Sequence, residues 1–176
     1  MPDLKGTMID RRTMLQRPVS NEKTIDACLL FKDSPIQLSA NNIIGYPEET
    51  RELIFDTIEL NRQVSEGVEA HSCCIFQPYR GTWLHKYCVE KGYWPEAALS
   101  LDLNFEPAIT YPDITHEEIK GLHRTFPFYI KFPKEDWPEI ERAEKFSEDG
   151  ELVFRELSRR YKEEYFDPKK IEPQFQ

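Results

Sequence analysis

SANNIIGYPEET, residues 39–50, predicts a short β-strand that ends in a tight turn. The strand signal runs from Gln37 to Ile44 and stops at Gly45. Alternation divides the strand into two faces, with Gln37, Ser39, Asn41 and Ile43 on one and Leu38, Ala40, Asn42 and Ile44 on the other. Because both faces carry polar side chains, two interpretations stay open: a barrel strand with one face toward a ligand, or an exposed edge strand.

Helices and a second strand flank this segment. Apolar residues at helical spacing, interrupted by Gly and Pro, predict helices at 21–32, 48–64 and 83–91 and a strand at 70–76. Residues 20–92 therefore predict the order α-β-α-β-α, which is typical of βα units with a parallel sheet. Ligands of such units bind at the carboxyl ends of the strands, here residues 43–48 and 76–82.

The chain beyond residue 92 is predicted to be organised differently. We expect a proline- and aromatic-rich connector at 93–137, with a short helix that opens at a capping box, 115–118, and ends near Arg124. A helical tail is expected at 138–176, with an aromatic stripe that faces the core: Phe154, Leu157, Tyr161 and Tyr165. A weaker helix signal covers residues 7–16.

Composition excludes several classes of protein. The chain has 176 residues and a net charge of −9, and an acidic chain does not favour non-specific binding of nucleic acid. The length predicts one domain or part of one, and no segment approaches the roughly 18 apolar residues that a membrane span requires. We therefore expect a cytoplasmic protein without nucleic-acid or membrane partners.

The cysteines and histidines predict no metal or nucleophile site. No C-x-x-C pair and no zinc-ligand spacing exists among the four cysteines, which are Cys28, Cys73, Cys74 and Cys88. Reduced, buried thiols are the expectation. Glu48 and Glu49 are adjacent, and we expect them to serve the first turn of a helix rather than to form a catalytic pair. The residues by themselves predict no complete catalytic set.

A family resemblance adds to this picture. Residues 17–50 resemble the later βα units of the radical S-adenosylmethionine (SAM) enzymes, closest to the cobalamin-associated group, where a turn of the type I-x-G-x-P-x-E-T ends a strand. The whole resemblance spans about residues 10–146. The phrase FQPYRGT at 76–82 is similar to the end of the next strand, and residues 126–133 resemble the tail after the barrel. The resemblance implies an α/β fold: a partial TIM-like (βα) barrel of about two βα units with parallel strands at 1–92, and a C-terminal helical extension.

The resemblance also implies roles for the first strand. Asn41-x-Ile43-x-Gly45-x-x-Glu48 is similar to the family strand G-x-I-x-G-x-x-E, with Asn in place of the first Gly. Ile43 would pack on the adenine of SAM. Asn41 would hydrogen-bond the ribose hydroxyls, which suits an amide on an inward face because such a group needs a partner. Ser39 lies on the same face and belongs to the same cofactor-binding set.

Three further residues complete the implied SAM site. Gln77 and Pro78 would offer backbone groups to the adenine edge after the second strand. Arg17 matches the family arginine that pairs with the SAM carboxylate, a task for which a bidentate guanidinium is suited.

The cluster motif of the family is missing from these residues. Family members hold a four-iron four-sulfur cluster on C-x-x-x-C-x-x-C and cleave SAM to a 5′-deoxyadenosyl radical, and the four cysteines here lack that spacing. We therefore expect a C-terminal part of a radical SAM domain that is inactive by itself, with SAM, the cluster and cobalamin as cofactors of a parent enzyme. Its partner would be the missing N-terminal half of the barrel or another subunit. A non-catalytic α/β partner module and an unrelated α/β scaffold remain alternatives.

Overall fold

The computed structural model describes residues 19–36, 38–68, 70–100 and 106–165. Within these ranges the protein is mostly helical, with six α-helices and one two-stranded sheet. The elements in chain order are α1 (Asn21–Leu29), β1 (Ser39–Ile44), α2 (Arg51–Val64), β2 (Ala70–Ile75), α3 (Trp83–Glu90), α4 (His116–Lys131), α5 (Trp137–Ala143) and α6 (Glu148–Tyr165). A 3₁₀ turn, Lys134–Asp136, leads into α5.

Hydroxyl side chains mark where four of these helices begin. Each accepts a hydrogen bond from a backbone N–H of the first turn, and the four residues are Ser20, Thr50, Thr82 and Thr115. At Thr115 the predicted capping box is confirmed, because Glu118 also accepts from the Thr115 backbone. The predicted start of α2 is wrong: the helix begins at Arg51, so Glu48 and Glu49 lie in the turn before it.

The two strands are parallel, as the alternation of strands and helices predicted. Ser39 pairs with Ala70 and Ile44 with Ile75, without interruption of the register. Helix α2 connects the strands and covers one face of the sheet, where the amide side chains of Asn42 and Asn61 exchange hydrogen bonds of 3.2 and 2.8 Å. The α/β class with a parallel strand pair is therefore confirmed.

One hydrophobic core joins the sheet to the helices that follow it. Its fully buried members come from the strand ends and from α2, α4, α5 and α6, and include Ile44, Ile75, Ile54, Ile58, Phe126, Ile140 and Leu157. The predicted stripe of α6 packs here, because Phe154 and Tyr161 contact Phe128 at ring distances of 5.5 and 5.6 Å. The C-terminal helices thus pack on the same core as the βα units.

Helix α4 is longer than the sequence predicted. The expectation of a short helix that ends near Arg124, followed by a packed connector at 126–137, is wrong: the helix continues through Pro127 to Lys131. An internal proline removes a backbone hydrogen bond and costs about 3 kcal/mol. The buried side chains of Phe126, Phe128 and Tyr129 offset that cost, since burial of each contributes about 1.5–3 kcal/mol.

The guanidinium of Arg62 caps the C-terminal end of α4. Its Nη1 donates to the carbonyls of Tyr129, Ile130 and Phe132, at 2.6, 3.0 and 2.7 Å. The last carbonyls of a helix have no partner within it, so this cation satisfies groups that otherwise need water or a glycine turn.

Several predictions fall outside the described residues. They are the helix at 7–16, the strand residue Gln37 and the end of the helical tail beyond Tyr165. Among the residues that the structure describes, no helix is long and apolar enough to cross a membrane.

Candidate functional site

The sheet has one covered face and one open face. Ser39 and Asn41 are exposed, and Ile43 is 38% exposed, whereas Ile44 on the opposite face is fully buried. On the open face the hydroxyl of Ser72 donates to Oδ1 of Asn41 at 2.5 Å. The strand residues that the resemblance assigned to SAM, Ser39, Asn41 and Ile43, therefore lie on one solvent-accessible surface. We call this surface, which also includes Ser72, the open face.

A buried carboxylate shapes the turn at the carboxyl end of β1. Gly45 has φ +77°, a conformation that favours glycine. Oε2 of Glu49 accepts from the backbone N–H of Gly45 at 2.5 Å and of Tyr46 at 3.1 Å, and Glu49 is only 6% exposed. A charged acceptor gives strong hydrogen bonds, so Glu49 fixes the direction in which the chain leaves the sheet.

Glu48, the glutamate of the pattern G-x-I-x-G-x-x-E, is bound to Tyr87 of α3 and to Lys91, which follows that helix. The tyrosine hydroxyl of Tyr87 donates to its Oε1, and Nζ of Lys91 lies 3.8 Å from the same oxygen. Its φ of +61° is uncommon for a residue with a side chain. The adjacent Glu49 is therefore the residue that stabilises the turn. The sequence did not show which of the two adjacent glutamates has this role.

The second predicted contact region, Gln77 and Pro78, is buried. Gln77 is 3% exposed, and its Nε2 donates to the carbonyl of Glu106 at 3.1 Å. Its Oε1 finds no hydrogen-bond donor among the residues that the structure describes. The backbone carbonyls are used internally, since Tyr79 N–H donates to Gln77 and the Ser100 hydroxyl to Pro78 at 2.6 Å. Arg17, the predicted partner of the SAM carboxylate, lies outside the described residues.

The thiols do not assemble into a metal centre within the described ranges. Cys28, Cys73, Cys74 and Cys88 are all free, and Cys88 alone is fully buried. Burial raises the pKa of the Cys73 thiol, which opposes formation of the thiolate that iron or zinc requires. No group of three or more His, Cys, Asp or Glu side chains is arranged to hold a metal ion in the part of the chain that is described. These residues do not fit an iron–sulfur cluster.

His123 of α4 has a structural role that the sequence did not predict. Its Nε2 lies 3.0 Å from the backbone carbonyl of Cys73 in β2, to which the neutral imidazole donates. Burial lowers the pKa of His123, because desolvation disfavours the charged ring. The two residues are far apart in sequence, so no local pattern could reveal the contact.

We expect this histidine to make stability depend on pH. The folded protein holds the pKa of His123 below the ordinary value of 6.5, so the unfolded chain binds the proton more readily. The stabilisation is present above about pH 6.5 and is lost as pH falls toward the folded pKa, with a slope of at most about 1.4 kcal/mol per pH unit. Urea unfolding at several pH values between about 5 and 8 measures it.

The control for this prediction is His123→Gln, whose amide nitrogen can still donate to Cys73. Its free energy of unfolding should lack the part of the pH slope that His123 contributes. An identical slope in the two proteins would contradict the assignment.

Comparison with known proteins identifies no relative: no family model, no curated protein and no solved structure matches the chain.

Proposed function

We propose that the protein is the C-terminal part of a radical SAM domain, which supplies the adenosyl side of the SAM pocket and is inactive by itself. The observation that carries the proposal is the sheet with one face under helices and the other open, with Asn41 and Ile43 on the open side. A TIM-like barrel wall has this construction, because helices cover its outside and the strands face inward. In this proposal β1 and β2 are two strands of a partial barrel.

The chemistry of the open face suits the sugar and base of a nucleoside. Asn41 offers an exposed amide for ribose hydroxyls, and Ser72, hydrogen-bonded to it, fixes the amide orientation. Ile43 is an exposed apolar side chain next to that amide and would pack on adenine. Ile43 lies next to the carboxyl end of β1, where ligands of βα folds bind, which supports its assignment to adenine.

The cofactors and partner follow from the same proposal. The parent enzyme would bind SAM and a four-iron four-sulfur cluster, with cobalamin in the closest group, and the cluster ligands would come from the other part of the barrel. That part is the missing N-terminal half or another subunit. The coding DNA upstream of Met1 is informative: an in-frame C-x-x-x-C-x-x-C supports a fragment, and a separate chain with that motif supports a partner module.

The direct test is a titration of the ¹⁵N-labelled protein with SAM, followed by NMR. Because only the adenosyl side is present, we expect weak binding, at roughly millimolar SAM, with chemical-shift changes concentrated at residues 39–43. Asn41→Ala should weaken these changes at least about threefold in affinity, since it removes the ribose contact.

The matched control is Gln63→Ala, which removes an exposed amide on α2, away from the open face. It should leave the titration unchanged. Shift changes confined to other residues, or an Asn41→Ala protein that binds as the unaltered one does, would contradict the site. A stoichiometric cluster after anaerobic reconstitution with iron and sulfide would contradict the statement that this part is inactive by itself.

A further inference from the structure

The outer edge of β2 is closed. The backbone N–H of Phe76 donates to the carbonyl of Ile44 at 2.8 Å, and this bond fixes which backbone groups of each parallel strand face the other. By alternation the carbonyl of Cys73 points away from β1. His123 of α4 occupies that position, with its Nε2 3.0 Å from the carbonyl oxygen. A further strand cannot pair there without displacing α4.

Among the described residues, nothing pairs with the outer edge of β1. The same alternation directs the backbone groups of Ser39, Asn41 and Ile43 away from β2, and these three residues are also the exposed ones of the strand. Within the described ranges no residue hydrogen-bonds to their backbone N–H or carbonyl groups.

This open edge lacks the features that keep edge strands apart. Charged side chains, proline and β-bulges commonly protect an edge from pairing with another strand. The sequence of β1, SANNII, has no charge and no proline, and its register with β2 has no bulge. Backbone pairing needs little side-chain complementarity, so the most accessible partner in a solution of this protein is a second copy of the same edge.

We propose that two copies of the protein associate through β1, antiparallel across a two-fold axis. Of the registers that place outward residues opposite one another, only one pairs all three: Asn41 lies opposite Asn41 of the second copy, and Ser39 lies opposite Ile43. The contact is isologous and forms a four-stranded sheet with β2 strands at its edges, both closed by α4. The proposal goes beyond the SAM site and does not depend on it. The second copy occupies the edge at which the other part of a barrel would have to pair, so the two associations exclude each other.

The area of the contact and the net charge of each copy determine how strong the dimer is and how its strength depends on salt. Pairing of two six-residue strands buries less than the roughly 1,000 Å² of a stable interface, so we expect dissociation constants on the order of 0.1 mM or weaker. Each copy has a net charge of −9, and like charges oppose association. Salt screens that repulsion, so the dimer should be stronger at about 0.5 M salt than at 0.05 M.

The test uses opposite charges at the symmetry axis. Asn41→Lys and Asn41→Asp each place like charges directly opposite one another in the dimer, which is unfavourable. Sedimentation equilibrium up to about 1 mM protein should show a dimer for the unaltered chain and at least about tenfold weaker association for each variant. An equimolar mixture of the two variants, which places lysine opposite aspartate, should restore association.

Two controls separate the outcomes. Circular dichroism and urea unfolding show that each variant is folded, and Gln63→Lys, on the helix side, should affect association much less. A monomer at all concentrations, or a mixture that fails to associate, overturns the proposal. A monomer in which the backbone amides of Asn41 and Ile43 exchange slowly also overturns the proposal, because another segment of the same chain must then pair with this edge. SAM binding is measured separately, so its failure leaves this result unaffected.

Discussion

Glu144→Gln is expected to lower the free energy of unfolding by about 2–4 kcal/mol. Glu144 is 7% exposed and follows α5. Its two oxygens accept from Nη1 and Nη2 of Arg51 at 2.8 and 2.7 Å, and one also accepts from the hydroxyl of Tyr129. Burial raises the pKa of Tyr129, so the hydroxyl stays protonated and donates. The substitution removes the charge that makes these buried hydrogen bonds strong.

The network joins three elements, which is why its loss should be global. Arg51 begins α2, Tyr129 lies on α4 and Glu144 follows α5. Urea unfolding of the variant should show a lower midpoint with an unchanged slope. Glu156→Gln is the matched control: Glu156 pairs with Arg159 on the exposed surface of α6, where ion pairs contribute little. Equal midpoints for Glu144→Gln and Glu156→Gln would contradict the role of the network.

Gly121→Ala is expected to destabilise the protein by about 2 kcal/mol, opposite in sign to the usual effect of this change in a helix. A methyl group at Gly121 would lie 2.7 Å from the carbonyl oxygen of Glu144 and 2.8 Å from its Cβ. Alanine normally stabilises a helix relative to glycine by about 1 kcal/mol, because glycine loses more backbone freedom on folding. Here α4 and the end of α5 must move apart.

The sign of the effect is the informative measurement. Thermal or urea unfolding of Gly121→Ala is compared with Glu117→Ala, an exposed position on the same helix. The exposed change should leave stability nearly unaltered. A stabilised Gly121→Ala protein would mean that the two helices can separate at no cost, contrary to the close approach seen at Glu144.

Local patterns predicted the βα part of the fold well. The elements from α1 to α3 were predicted from apolar spacing and from glycine or proline breaks, which act within a few residues, although the start of α2 was placed too early. The sequence did not predict that α4 continues past Arg124, because Pro127 carries a strong local signal against a helix. The packing of Phe126 and Tyr129 that overrides this signal comes from residues distant in sequence.

In the candidate site, too, local patterns predicted some features and missed those that depend on distant residues. Alternation placed Ser39, Asn41 and Ile43 on one face, and the structure leaves that face open. The sequence left two interpretations open, an exposed edge strand and a strand with one face toward a ligand. β1 fits both of them, because it lies at an edge of the sheet and one of its faces is open. The contact of His123 with β2 could not be predicted, because it depends on how α4 crosses the strand edge.

The capping of α4 by Arg62 has a consequence for the unfolded chain. Because a side chain satisfies the last carbonyls, the chain leaves the helix at Phe132 in an extended conformation and enters Pro133 without a left-handed glycine. Proline restricts an unfolded chain and glycine loosens it. With 13 prolines and seven glycines, the unfolded chain has less backbone entropy to lose on folding than a chain with these proportions reversed.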